Sequence, residues 1–62
     1  MKKKEIKEMA KKIAKYEMII QNNTDKDEVI KAQNAILSLS KSVHSLEDMM
    51  AIDEMVQDMM SQ

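Results

Sequence analysis

The chain has 62 residues and a mass of 7.2 kDa, with eight Met, one Tyr and no Gly, Pro, Cys, Trp or Phe. All ten cations are Lys and face eleven acids, giving a formal net charge of -1. These counts exclude disulfides, thiolate metal sites, cysteine nucleophiles, Gly-rich phosphate loops and Gly-dependent β-hairpins, and they bound the chain to one domain.

A domain this small buries only about 60% of the surface its unfolded chain exposes, so a partner is expected to complete its core. No apolar run approaches the ~18 residues of a membrane span, and no membrane association is expected. Lys2-Lys3-Lys4 leads into an amphipathic stretch rather than the apolar segment of a signal peptide. Lys, Glu, Met, Ala, Leu and Gln dominate, and all favour helix. The fold class read from the sequence is all-α.

The first element runs over 3–22. Ile6, Met9, Ile13, Tyr16 and Ile20 recur at spacings of 3 and 4, with Ala10 and Ala14 beside them, so they form one apolar stripe on a helix. Lys4, Lys7, Lys11 and Lys15 line the opposite side. Glu8 stands four residues before Lys12, an arrangement that supports a solvated face.

The run Gln21-Asn22-Asn23-Thr24-Asp25 interrupts this pattern. Asn tolerates a left-handed C-terminal cap. Thr24 with Asp27, or Asp25 with Glu28, makes a capping-box-like start for the next helix. A sharp boundary here predicts an antiparallel helical hairpin.

The second helix begins at Lys26. Val29, Ala32, Ile36, Leu39, Val43 and Leu46 follow at spacings of 3 and 4 as a coiled-coil-like seam. Ile30, Leu37 and His44 run beside it at intervals of seven, which widens the apolar surface beyond what one partner helix covers. After Leu46 the apolar positions Met49, Met50, Ile52, Met55, Val56, Met59 and Met60 shift by more than about 90° around the wheel.

Two arrangements accommodate that shift. The chain breaks at 42–45, with Ser45 through Asp48 as a capping box for a third helix that folds back. Alternatively one helix spans 26–60, ~50 Å long against ~30 Å for the first, and its end packs on another subunit. No residue at 42–45 forces a turn, so a continuous or merely kinked helix with homodimerisation is the expectation. The candidate oligomer interface is Ile30, Leu37, His44, Met49, Met50, Ile52, Val56 and Met60.

Charge is uneven. Residues 1–31 hold nine Lys and six acids, net +3, while residues 32–62 hold one Lys and five acids, net -4. Glu47, Glu54 and Asp58 align on one stripe of a tail without cations. A solvated helix face accounts for that stripe, and so does an acidic surface that docks on a basic groove. Met is flexible and polarizable, so Met55 and Met59 join the candidate docking set on an adaptable protein-binding face. Asp48 and Asp53, inside the apolar arc, are candidate ends of intersubunit salt bridges to the Lys-rich first helix.

Lys4, Lys7, Lys11 and Lys15 are the candidate phosphate contacts of an alternative, nucleic-acid-associated reading. Against it stand the lack of Arg, the single aromatic and the slightly acidic net charge. A third reading is a structural bundle whose partner is itself. His44 with Glu47 and Asp48 makes a weak metal signal, and no metal or other cofactor is expected. Nor is catalysis, because a short helical chain is not expected to form a ~300 Å³ pocket.

The all-Lys cations, frequent Ile and Asn, and absence of Gly, Pro and Arg suggest an AT-rich genome. The stretches Ala10-Lys-Lys-Ile-Ala-Lys-Tyr-Glu-Met-Ile-Ile-Gln21 and Leu46-Glu-Asp-Met-Met-Ala-Ile-Asp-Glu-Met-Val-Gln-Asp-Met-Met60 resemble small helical proteins of prophages and integrative elements of low-GC Gram-positive bacteria. That pool includes anti-CRISPR proteins. The resemblance implies a non-enzymatic, phage-encoded inhibitor or regulator in the cytoplasm of a bacterial host, with a CRISPR effector nuclease as its protein partner.

Overall fold

The stripe from Ile6 to Ile20 folds as α1 (Lys3–Asn22), followed by α2 (Lys26–Lys41) and α3 (Leu46–Met60) in the computed structural model, which describes residues 1–61. No strand occurs among the described residues.

The first boundary uses the chemistry legible in the sequence, with one difference. Asn23 ends α1 in an extended conformation, φ -109° and ψ 134°, rather than in the left-handed cap. Its Oδ1 accepts a hydrogen bond from the Asp25 N–H at 3.0 Å, so a side-chain turn replaces the backbone one. Asp25, not Thr24, caps α2 by accepting from the Asp27 N–H at 3.0 Å. Asp27 and Glu28 then place negative charge at the positive end of the helix dipole.

The second boundary corrects the expectation of a continuous helix. Ser42 closes α2: its N–H and its hydroxyl both donate to the Leu39 carbonyl, at 3.1 and 2.7 Å. Ser45 turns extended at φ -117° and ψ 133° and caps α3, accepting from the Asp48 N–H at 3.5 Å. The physical reason lies in the apolar pattern. A straight continuation would aim the rotated Met-rich face away from α1, whereas the break at 42–45 turns α3 so that Ile52 and Val56 reach it.

Helix α1 is central, because α2 and α3 both pack chiefly on it and only marginally on each other. Ala10, Ile13, Ala14, Ile52 and Val56 form the buried cluster, with Ile6, Met9, Ile36, Leu39, Val43, Met55, Met59 and Met60 half-buried against it. Ala10 and Ala14 share one face and carry nothing beyond Cβ, which leaves room for the side chains of α3. Ala32 is buried on the other flank, beside Tyr16 and Ile19. The core is small: Ile52 is the one large side chain that is fully enclosed. Leu46, read as the last residue of the α2 seam, is instead 76% exposed as the first residue of α3. No helix among the described residues is long and apolar enough to cross a membrane.

Candidate interaction surface

The break sorts the sequence-derived candidates into two groups. Ile52 and Val56, expected at a subunit interface, are buried in the chain's own core, and Met49 and Met60 are half-buried. They cannot serve two partners at once, because their contact surface is already spent on α1. Ile30, Leu37, His44 and Met50, from the same set, are exposed. The docking set divides likewise: Glu47, Glu54 and Asp58 are exposed, while Met55 and Met59 are half-buried against the core.

The outer face of α3 therefore carries carboxylates along one side of two large apolar side chains, Leu46 at 76% and Met50 at 62% exposure. On the helical wheel Leu46, Met50, Asp53 and Gln57 follow one line at spacings of 4, 3 and 4, with Glu47, Glu54 and Asp58 on its flank. Sequence reasoning missed Leu46. The signal was Ser45, since the residue after a helix cap begins a new helix and need not continue the old seam.

Asp48 was expected to pair with another subunit. It is held within this chain instead, accepting from the Met1 ammonium at 3.0 Å. That contact ties the start of α3 to the start of α1. The other ion pair among the described residues joins Lys31 to Glu28 at 4.0 Å along one face of α2. Neither involves Glu47, Glu54, Asp58 or the α1 lysines Lys4, Lys7, Lys11 and Lys15, all of which are exposed.

Grooves open on both sides of α1, contrary to the expectation of no pocket. One of about 580 Å³ lies between α1 and α2, with Lys12, Lys15 and Tyr16 on one wall and Ala35, Ser38 and Ser42 on the other. The small side chains of α2 leave this space. A second, of about 400 Å³, lies between α1 and α3 and is bordered by Glu17, Gln21, Asp53 and Gln57. Both are open to solvent rather than enclosed. Among the described residues no group of three or more His, Asp or Glu is placed to hold a metal ion.

No family model, curated protein or solved structure matches the chain. Its surface must be read from its own chemistry.

The accessible surface supplies one further quantity. It amounts to 4906 Å², whereas a globular monomer of 7.2 kDa has about 4,100 Å². The excess of about 800 Å² reflects the elongated shape, 34 × 26 × 16 Å, and the open grooves beside α1.

Proposed function

We propose that this chain is a non-enzymatic protein–protein interaction module that docks on a basic surface of another protein through the outer face of α3. The observation that carries the reading is the pairing on that face of exposed Leu46 and Met50 with Glu47, Glu54 and Asp58, in a segment without a cation after Lys41. Apolar anchors beside exposed carboxylates suit a partner groove lined by Lys or Arg, where the anchors give affinity and the charges give orientation and on-rate.

The resemblance to prophage proteins adds a biological setting, a phage-encoded inhibitor or regulator of the anti-CRISPR kind acting on a CRISPR effector nuclease in the bacterial cytoplasm. Nucleases of that kind present positively charged channels, which an acidic helix can occupy. An antiparallel α1–α2 hairpin and homodimerisation complete the reading.

The test is binding of the chain to guide-loaded effector nucleases, followed by target cleavage, with wild type and the double variant Glu54→Lys/Asp58→Lys. Both residues are exposed, so helicity is expected to persist while binding and inhibition are lost. Undiminished binding by the double variant would sink docking through this face.

A second reading rests on the exposure of Lys4, Lys7, Lys11 and Lys15 without ion pairs among the described residues. It predicts duplex DNA binding at ~150 mM salt that is lost on Lys→Gln changes in α1. Absence of a complex at low salt eliminates it.

A further inference from the structure

The face of α2 that points away from α1 has a pattern of its own. At about 100° per residue, Ile30 and Leu37 lie within about 20° of each other, and the core residue Leu39 lies about 160–180° away. Both are large and solvent-facing, at 52% and 60% exposure. Asp27, Asn34 and Lys41 run along one flank of the pair at intervals of seven, and Lys26, Gln33 and Ser40 run along the other. Ile30 and Leu37 thus repeat at one heptad, with Gln33 and Asn34 between them where a full two-helix seam carries a second apolar position.

We propose that a second copy of this chain covers that face, with α2 pairing to α2 antiparallel about a two-fold axis passing between residues 33 and 34. The pairing of Asp27 with Lys41 and the opposed helix dipoles favour that direction. In an antiparallel pair residues whose numbers sum to about 66 to 68 meet, so Ile30 packs on the second copy's Leu37 and Leu37 on its Ile30. Asp27 then meets the second copy's Lys41, twice per dimer, and the two Asn34 side chains meet near the axis. On the other flank Gln33 meets Gln33, and Lys26 meets Ser40. A parallel two-fold pair would bring opposite flanks together, Asp27 against the second copy's Lys26 and Lys41 against its Ser40, so it leaves Lys41 without an acid and aligns the two helix dipoles that an antiparallel pair opposes.

The fold supports the same choice. The acidic first turn of α2, Asp27 and Glu28, and its basic last turn, Lys41, are opposite ends that only an antiparallel partner brings together. A patch that complements itself in this way makes a closed, isologous dimer. Because α1 stands between α2 and α3, pairing through α2 leaves the outer face of α3 free on both copies. The dimer thereby presents two docking faces and gains avidity for a partner with two sites. This inference rests on the self-association in the functional reading and not on docking through α3.

The native chain has no Cys, so Asn34→Cys introduces a single thiol beside the proposed axis. Mild oxidation is expected to convert that variant to a covalent dimer, while Gln57→Cys on α3 stays monomeric. In sedimentation, Leu37→Lys is expected to weaken the dimer at least about tenfold with helicity unchanged. Asp27→Lys and Lys41→Asp are each expected to weaken it, and the two together in one chain to restore it. A wild-type monomer at ~1 mM overturns the inference. So does efficient cross-linking of Gln57→Cys but not Asn34→Cys, or a dimer that Leu37→Lys leaves intact. Glu54→Lys/Asp58→Lys separates the two readings, because it is expected to remove docking and leave the dimer whole.

Discussion

The two helix boundaries solve the same problem with chemistry of different strength. At Asn23–Asp25 two carboxamide or carboxylate oxygens accept backbone N–H bonds at 3.0 Å, and two acids follow in the first turn of α2. At Ser42–Ser45 the devices are hydroxyls: Ser42 on the Leu39 carbonyl at 2.7 Å, and Ser45 accepting from the Asp48 N–H at 3.5 Å. The first boundary is written locally. The second depends on what lies beyond it, since serine only weakens a helix and α3 must find α1 before the break is favoured.

The largest expected effect tests that dependence. Ile52 is fully buried only because the chain turns at 42–45. Ile52→Ala is therefore expected to cost about 2–5 kcal/mol, a large share of the stability of so small a domain. Urea denaturation followed by circular dichroism reads this directly. A loss below about 0.5 kcal/mol would put Ile52 at a surface, as a continuous helix does, and the contrast between the two boundaries would collapse.

The caps should differ in the same direction as their chemistry. Asp25→Ala removes a 3.0 Å bond and a charge at the helix dipole, and about 1–1.5 kcal/mol is expected. Ser45→Ala removes a longer, uncharged bond, and about 0.5 kcal/mol is expected. Equal losses in the same denaturation series would mean that Ser45 caps as firmly as Asp25.

Legibility in the sequence follows this division. The all-helical class and the bounds of α1 could be read from composition and from the recurrence of Ile6, Met9, Ile13, Tyr16 and Ile20, because local periodicity determines them. The start of α2 was equally plain. The end of α2 was not, because Ser42, Val43, His44 and Ser45 permit both outcomes and only tertiary packing chooses between them. That one ambiguity displaced Ile52 and Val56 from core to interface and Leu46 from surface to seam. The acidic stripe survived it, since Glu47, Glu54 and Asp58 lie away from the apolar arc in either arrangement. The clamp on Asp48 was invisible, because it joins residues 47 apart through a terminal ammonium.

That clamp has a modest expected contribution. The Met1 ammonium and the Asp48 carboxylate keep 17% and 21% of their side-chain exposure, so water still screens the pair. Asp48→Asn is expected to cost about 0.5 kcal/mol at low salt and less at 1 M salt, as measured by thermal melts in the two buffers. A salt-independent loss would assign the effect to the first turn of α3 rather than to the ion pair.

Leu46 gives the smallest expected change in stability and the reciprocal of the Ile52 experiment. As the last member of a continuous α2 seam it would be packed, and Leu46→Ser would cost several kcal/mol. At 76% exposure on the first residue of α3 it has little apolar contact to lose, so the expected change lies within about 0.5 kcal/mol. The same substitution should weaken docking through α3, because it removes one of the two apolar anchors from the acidic face. Stability and binding thus respond in opposite ways at Ile52 and Leu46, six residues apart on one helix. A variant that lost both stability and binding at Leu46 would return it to the core and withdraw it from the docking surface.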